Sequence, residues 1–164
     1  MLLFKNAIIL VSTFFFLTAC QTLSPAEISQ KAQPQIDRIQ IGTAGDRQSQ
    51  IFLRHLEDNL NQNEALRDLA LSTKLEVTSG STLSVKGKTS TLSKTKMTVT
   101  YSLDDRLSGE VVTKGTLSAT ATSGTVSSYY GQEQSQKFTS ERLAITLADR
   151  LAQTLRLHFL VKAD

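Results

Sequence analysis

The chain has 164 residues, enough for one globular domain but too few for two domains with separate cores. A single Cys and two His exclude an internal disulfide and leave little for a His-based metal centre. The formal net charge of +3 is too small to indicate a dedicated nucleic-acid binder, whereas 18 Ser and 20 Thr make the chain rich in hydroxyl groups.

The first nineteen residues have the pattern of an export signal. Lys5 follows a short apolar start, and residues 7–19 are largely apolar. Thirteen residues are fewer than the roughly 20 that a membrane-spanning helix needs, but they suit the apolar region of a secretory signal peptide. We therefore expect residues 1–19 to be a signal peptide.

The only Cys of the chain lies at the end of this segment. The sequence Leu17-Thr18-Ala19-Cys20 resembles the lipobox of bacterial lipoproteins, in which an aliphatic residue and two small residues precede the Cys that is lipidated. The resemblance implies diacylglycerol on Cys20 and an acylated amine, and no other cofactor is expected. Because residue 21 is Gln rather than Asp, the sorting pattern of enteric lipoproteins predicts lipid anchorage in the outer membrane, facing the periplasm.

Residues 21–35 are polar and contain both prolines of the chain. This composition predicts a flexible tether, with at most one short helical turn after Pro25. The predicted organisation is therefore a lipidated Cys and tether over 20–35 and a single periplasmic domain over 36–164.

The domain begins with a predicted strand and a predicted helix. Ile36, Ile39 and Ile41 indicate a short strand, and Asp46 is a suitable N-cap for the helix that follows. The apolar residues of that helix recur at helical spacing, and they are Phe52, Leu53, Leu56 and Leu60. His55 is expected at the flank of this helix, as a surface residue rather than a ligand.

Three segments alternate apolar and polar residues, which is typical of strands with one buried face. Their apolar positions are Leu69, Leu71, Leu75 and Val77, then Met97, Val99, Tyr101 and Leu103, then Leu117, Ala119 and Ala121. Antiparallel sheets tolerate one solvated face and parallel sheets rarely do, so these strands are expected to be mainly antiparallel. Residues 104–109 are predicted to turn between the second and third of them.

Residues 122–137 are predicted to be a loop, because they carry two glycines and no apolar period. A long helix is then expected after a cap at Thr139 or Ser140. Its broad apolar stripe comprises Leu143, Ala144, Leu147, Ala148, Leu151, Ala152, Leu155 and Phe159.

These elements predict an α+β fold in the order β-α-β-β-β-α. Two amphipathic helices must bury their apolar faces, and the sheet offers one apolar face to do so. The expected architecture is a two-layer sandwich, with two helices on one face of a four-stranded, mainly antiparallel sheet.

Four lysines in the strand region are candidates for ligand binding. Residues 78–102 contain no acid but carry Lys86, Lys88, Lys94 and Lys96 among many hydroxyl groups. Such a surface can bind phosphate or sugar. It can equally be a solvated edge, where lysines prevent unwanted strand pairing.

No enzymatic activity is expected. The sequence from Ser93 to Lys96 matches S-x-x-K, but that pairing requires a helical turn, whereas positions three apart in a strand point to opposite faces. The adjacent Tyr129 and Tyr130 offer either a contact surface for a partner or a cover for the end of the sheet.

A combination of residues spread over about 125 positions resembles one known family. In chain order these are Ile39, Ile41, Arg47, Gln48, Leu56, Val99, Tyr101, Leu103, Val112, Gly115, Ala119, Ala121, Tyr129, Tyr130, Phe138 and the helix from Glu141 to Phe159. Together with the lipobox and the element order, they resemble the LPS-assembly lipoprotein (LptE) family, in particular its alphaproteobacterial branch.

The resemblance implies a role with a partner rather than catalysis. Members of this family sit in the lumen of a large outer-membrane β-barrel, LptD, support its assembly and help to deliver lipopolysaccharide to the outer leaflet. Some bind lipopolysaccharide through basic residues, for which Lys86, Lys88, Lys94 and Lys96 are the candidates here. The alternative is a tethered periplasmic adaptor or activator of another envelope machine.

Overall fold

The computed structural model describes residues 25–60, 67–84, 91–124 and 128–163. Within these ranges the helices are α1 (Pro25–Ile36), α2 (Arg47–Leu60) and α3 (Tyr129–Ala163). The strands are β1 (Ile39–Ile41), β2 (Leu69–Ser84), β3 (Thr91–Asp105) and β4 (Val111–Gly124). The predicted α+β class is confirmed, with one helix, α1, added at the start.

The four strands form one sheet in the order β1-β2-β3-β4. Strand β1 pairs parallel to β2, with Ile39 opposite Leu69, and the other pairs are antiparallel. Val99 at the centre of β3 lies between Leu75 of β2 and Leu117 of β4. The three long strands therefore make an antiparallel sheet, as expected, to which β1 adds a short parallel edge.

The turn between β3 and β4 is closed by Asp105. Its carboxylate accepts hydrogen bonds from the backbone N–H groups of Leu107 and Ser108, at 2.8 and 3.1 Å. Gly109 then adopts a φ of 73°, which costs glycine nothing. The turn predicted over residues 104–109 is thus confirmed.

One face of the sheet is covered by the helices, and the core lies between the two layers. Strand β3 contributes alternate residues to this core, and the helices contribute the apolar stripes that their spacing predicts. The fully buried large side chains include Phe52, Leu56, Leu60, Leu71, Met97, Val99, Leu103, Leu147, Leu151 and Leu155. Asp46 caps α2 as predicted, since it accepts the Ser49 N–H at 3.0 Å.

Helix α3 is longer than its apolar stripe. It begins at Tyr129, so the loop predicted up to residue 137 is wrong from that point on. Ser128 supplies the cap by accepting the Gly131 N–H at 3.1 Å, and Thr139 lies inside the helix, where its hydroxyl donates to the Ser135 carbonyl at 2.7 Å. The added turns bury no large apolar residue, which is why no helical period is visible there.

Helix α1 occupies most of the segment for which a flexible tether is predicted. Ala32 and Ile36 are buried in the core, and the Gln33 amide donates to the carbonyl of Leu60 at 3.0 Å. Pro34 lies inside this helix and removes a backbone donor, which makes the sequence look like a linker. Burial of Ala32 and Ile36 offsets that cost, so the second half of α1 packs onto the core.

In the described ranges, no helix combines the length and the apolar character that crossing a membrane requires. The same residues contain no group of three or more His, Cys, Asp or Glu that could hold a metal ion.

Candidate functional site

The face of the sheet opposite the helices is formed by hydroxyl and charged side chains. Because the three long strands are in register, their polar positions stand in rows, such as Thr78, Lys96 and Thr120. We call this surface the open face. Its members are Ser72, Lys74, Glu76, Thr78, Lys94, Lys96, Thr98, Thr100, Ser102, Lys114, Thr116, Ser118, Thr120 and Thr122.

Two of the predicted lysines lie on this face. Lys94 and Lys96 are exposed on β3, which pairs with strands on both sides, so they are not edge residues that block strand pairing. Lys96 has Thr78 and Thr120 directly opposite. The edge interpretation therefore does not apply to these two lysines, whereas Lys86, Lys88 and the lipidation candidate Cys20 lie outside the described residues.

Two further lysines lie on the open face that are not among the ligand-binding candidates predicted from the sequence. Lys74 lies opposite Thr100, and Lys114 lies opposite Ser102 one row away. They border a shallow basin of about 630 Å³, which Ser72 and Thr116 also line. Lys74 and Lys114 are 40 positions apart in the chain, so only the strand register could have brought them together.

The open face is basic overall. It carries Lys74, Lys94, Lys96 and Lys114 against Glu76 and, at the end of β3, Asp104, which accepts a hydrogen bond from the Ser102 hydroxyl at 2.8 Å. The Lys74 ammonium lies 2.9 Å from the Glu76 carboxylate, and this contact raises the pKa of Lys74 and lowers that of Glu76. The remaining cations are surrounded by hydroxyl groups, an arrangement that can bind phosphate through charge and hydrogen bonds together.

Ser93 and Lys96 lie on opposite faces of β3. Ser93 lies on the helix side of the strand and Lys96 on the open face, so the S-x-x-K sequence forms no nucleophile–base pair. This is the separation that the strand period predicts.

Tyr129 and Tyr130 begin helix α3, in the layer opposite the open face. Their side chains are 85% and 71% exposed, which is too open for a cover over the end of the sheet. The exposure favours the other interpretation, a contact surface. The structure thus places these tyrosines and the lysines of β3 in different layers rather than in one site.

The fold matches those of several solved lipoproteins. A candidate lipoprotein from Caulobacter crescentus CB15 superposes with a TM-score of 0.64 at 16% identity, over 80% of this chain and 98% of that chain. A minor lipoprotein from Acinetobacter baumannii gives 0.54 at 18% identity, over 73% and 88%. Rare lipoprotein B from Shewanella oneidensis gives 0.55 at 15% identity, over 77% and 97%.

These similarities concern the fold, and they extend over almost the full length of two of the three neighbours. No family model matches the chain, and no curated protein is significantly similar to it in sequence. The shared property is an α+β domain that bacterial lipoproteins use.

Proposed function

We propose that this chain is an outer-membrane lipoprotein that occupies the lumen of a large LptD-like β-barrel, supports its assembly and assists insertion of lipopolysaccharide into the outer leaflet. The observation that carries the proposal is the lipoprotein fold, which covers 97% of rare lipoprotein B. The lipobox at Cys20 and the LptE-like residues along the chain agree with it.

The open face is suited to the inside of such a barrel. The lumen of an outer-membrane barrel is polar, so a protein within it gains from hydrogen-bonding groups rather than from apolar ones. Nine of the fourteen open-face positions defined above are hydroxyl residues. A flat surface of this kind can pair with luminal side chains without leaving large apolar groups in water.

The position of helix α1 favours a partner in the same membrane. Only four residues separate Cys20 from Pro25, where the helix begins. The five Cα-to-Cα steps from Cys20 to Pro25 span at most about 17 Å, at about 3.4 Å per step in an extended chain. A lipid on Cys20 would therefore hold the domain close to the membrane, whereas a periplasmic adaptor would gain from a longer tether.

The lysines of the open face are the groups that would meet lipopolysaccharide. Lys94 and Lys96 provide two ammonium groups on the central strand, and Lys74 and Lys114 extend the charge to the strands on either side. Lipid A phosphates are anionic and accept hydrogen bonds, which matches a surface of lysines among threonines.

Affinity purification from detergent extracts tests the barrel partner. The full-length tagged lipoprotein is expected to bring down one large β-barrel protein in near-equal amount. Recovery of the chain alone would contradict the proposal, and recovery of a periplasmic synthase or lipid-transport component instead would assign the adaptor role. A Cys20→Ser variant, analysed by mass spectrometry, should lack the lipid mass and leave the membrane fraction.

Binding of purified lipopolysaccharide tests the role of the open face. The double variant Lys94→Gln/Lys96→Gln is expected to bind at least about tenfold more weakly, because two charge-assisted contacts are lost. Lys137→Gln, an exposed lysine on α3, is the matched control and should bind normally. If the double variant binds lipopolysaccharide as tightly as the wild type does, these lysines are solvated surface residues without a role in binding.

A further inference from the structure

A second cavity lies on the helix side of the sheet, away from the open face. The first turns of α3 approach the far ends of the three long strands and leave a cleft of about 260 Å³. We call it the distal cleft. Its lining residues are Ser79, Gly80, Ser93, Ser123, Gly124, Gln132, Ser135 and Gln136.

The lining of the distal cleft is polar and uncharged. Its side chains are serine hydroxyls, at least one from each long strand, and the carboxamides of Gln132 and Gln136. Each hydroxyl and each carboxamide can both donate and accept a hydrogen bond. The Ser79 hydroxyl already lies 3.2 Å from that of Thr95, which is buried just below. None of the lining residues is ionisable or has a large apolar side chain.

The polar lining is not explained by the stability of the fold. Farther along α3 the same interface between helix and sheet is filled by buried leucines such as Leu147 and Leu151. Between Tyr129 and Phe138, by contrast, no side chain of the helix is buried. Helical turns gain most of their stability in proteins from packing an apolar face, and these turns have none to pack.

An exposed aromatic ring lies on the same side of the helix as the cleft. Tyr129 precedes Gln132 by three positions and Gln136 by seven, and residues at these spacings share one helix face. Its side chain is 85% exposed, so the ring is free to contact a molecule held beside it. Tyrosine offers a flat apolar surface with a polar tip, which suits a ligand that has both kinds of surface.

We propose that the distal cleft binds a single uncharged sugar unit. Sugar hydroxyls donate and accept hydrogen bonds as the serine and glutamine groups do, and the C–H face of a sugar ring can pack on Tyr129. The volume equals that of about nine waters at about 30 Å³ each, which suits one hexose ring rather than an extended glycan. Phosphorylated or acidic sugars fit less well, because no cation in the lining would compensate their charge.

This inference is independent of the barrel partner and of the open-face lysines. The cleft lies on the helix side of the sheet, and Lys94 and Lys96 lie on the other side. Loss of lipopolysaccharide binding in the lysine variant would therefore leave the distal cleft unaffected, and the two proposals can fail separately.

Backbone NMR of the lipidated full chain, in micelles of a detergent without sugar, tests the proposal. Methyl α-D-glucopyranoside and methyl α-D-galactopyranoside are the neutral probes, and D-glucuronate is the charged probe of similar size. At least one neutral probe should shift the amides of residues 79–80, 93, 123–124 and 131–136 saturably, with a Kd on the order of 1–10 mM. D-glucuronate should bind the same residues at least about threefold more weakly.

Variants of the lining residues then distinguish specific binding in the cleft from nonspecific binding of polyols. Gln136→Ala and Ser135→Ala should weaken binding of the neutral probe about fivefold or more while the other amide signals stay in place. Asp58→Asn, an exposed residue of α2 that does not line the cleft, should leave the affinity unchanged. The proposal is overturned if neither neutral probe saturates, if glycerol produces the same shifts at the same concentration, or if the two cleft variants bind normally. A photo-crosslinker at position 136 that captures a segment of a partner protein in cells would assign the cleft to protein contact and also overturn it.

Discussion

The two ends of the interface between helix α3 and the sheet differ in the side chains that fill them. The base end, around Leu147, Leu151 and Leu155, is packed with apolar residues against Val99 and Leu103. The end that contains the distal cleft is lined by serines and glutamines. Since burial of apolar area supplies most of the stability of a domain, the base end holds the fold together and leaves the distal end free to carry other contacts.

The largest effect is expected from a cavity at the base. Leu151→Ala removes a fully buried side chain and should lower the free energy of unfolding by about 2–5 kcal/mol. Leu157→Ala, on the same helix but 53% exposed, should change it by no more than about 0.5 kcal/mol. Urea titrations of both variants measure the difference, and equal losses would mean that the base does not dominate stability.

A glycine in each region gives the next contrast. A Cβ at Gly115 would lie 2.8 Å from the Tyr101 hydroxyl and 3.0 Å from two ring carbons, whereas a Cβ at Gly80 would meet no atom within 4 Å. Because the Tyr101 ring is buried and must shift, Gly115→Ala should cost about 1–3 kcal/mol. Gly80→Ala should be neutral or stabilise by about 0.5 kcal/mol. Thermal unfolding compares the stability of the two variants. A larger loss of stability for Gly80→Ala than for Gly115→Ala would contradict this prediction.

An ion pair at the base should make stability depend on acidity. The Arg38 guanidinium donates two hydrogen bonds to Asp68, at 2.8 and 2.5 Å, and these lower the pKa of Asp68 below its ordinary value near 3.9. The stabilisation is therefore complete above that value and is lost as the pH falls through the lower pKa of the folded state. In Asp68→Asn the free energy of unfolding should therefore decrease less on acidification than it does in the wild type. Asp58→Asn, on the exposed side of α2, is the control, and identical acid profiles for the wild type and Asp68→Asn would contradict the role of the pair.

The smallest effect on stability is expected in the distal cleft. Gln136→Ala and Ser135→Ala should each change the free energy of unfolding by less than about 0.5 kcal/mol. Amide hydrogen exchange should be faster for residues 131–138 than for 147–155, because the first group belongs to turns without buried side chains. Protection as strong as at the base would show that the cleft is part of the structural core.

The sequence predicted those helices and strands whose buried residues recur at a regular spacing along the chain. Met97, Val99, Tyr101 and Leu103 alternate along β3, and the leucines of α3 from residue 143 on recur at helical spacing, so both elements were predictable. The turn at 104–109 was predictable from its composition, and Asp105 and Gly109 perform the roles expected there.

The missed elements lack that period. The first turns of α3 carry Gln, Ser and Gly instead of an apolar stripe, so their composition is typical of a loop. Only the structure shows that they form a helix beside the strand ends. Helix α1 was hidden by Pro34 and by its polar composition, and among its residues 30–36, for which burial is described, the buried ones are Ala32 and Ile36. Lys74 and Lys114 could not be grouped with Lys94 and Lys96, because strand register depends on pairing across the sheet.

Controlled depletion of this protein in its own cells tests the central claim most directly. The account predicts that the amount of folded LptD-like barrel in the outer membrane falls and that newly made lipopolysaccharide fails to reach the cell surface. Wild-type chain should restore both on re-expression. Normal barrel levels together with normal surface lipopolysaccharide after depletion would contradict the account.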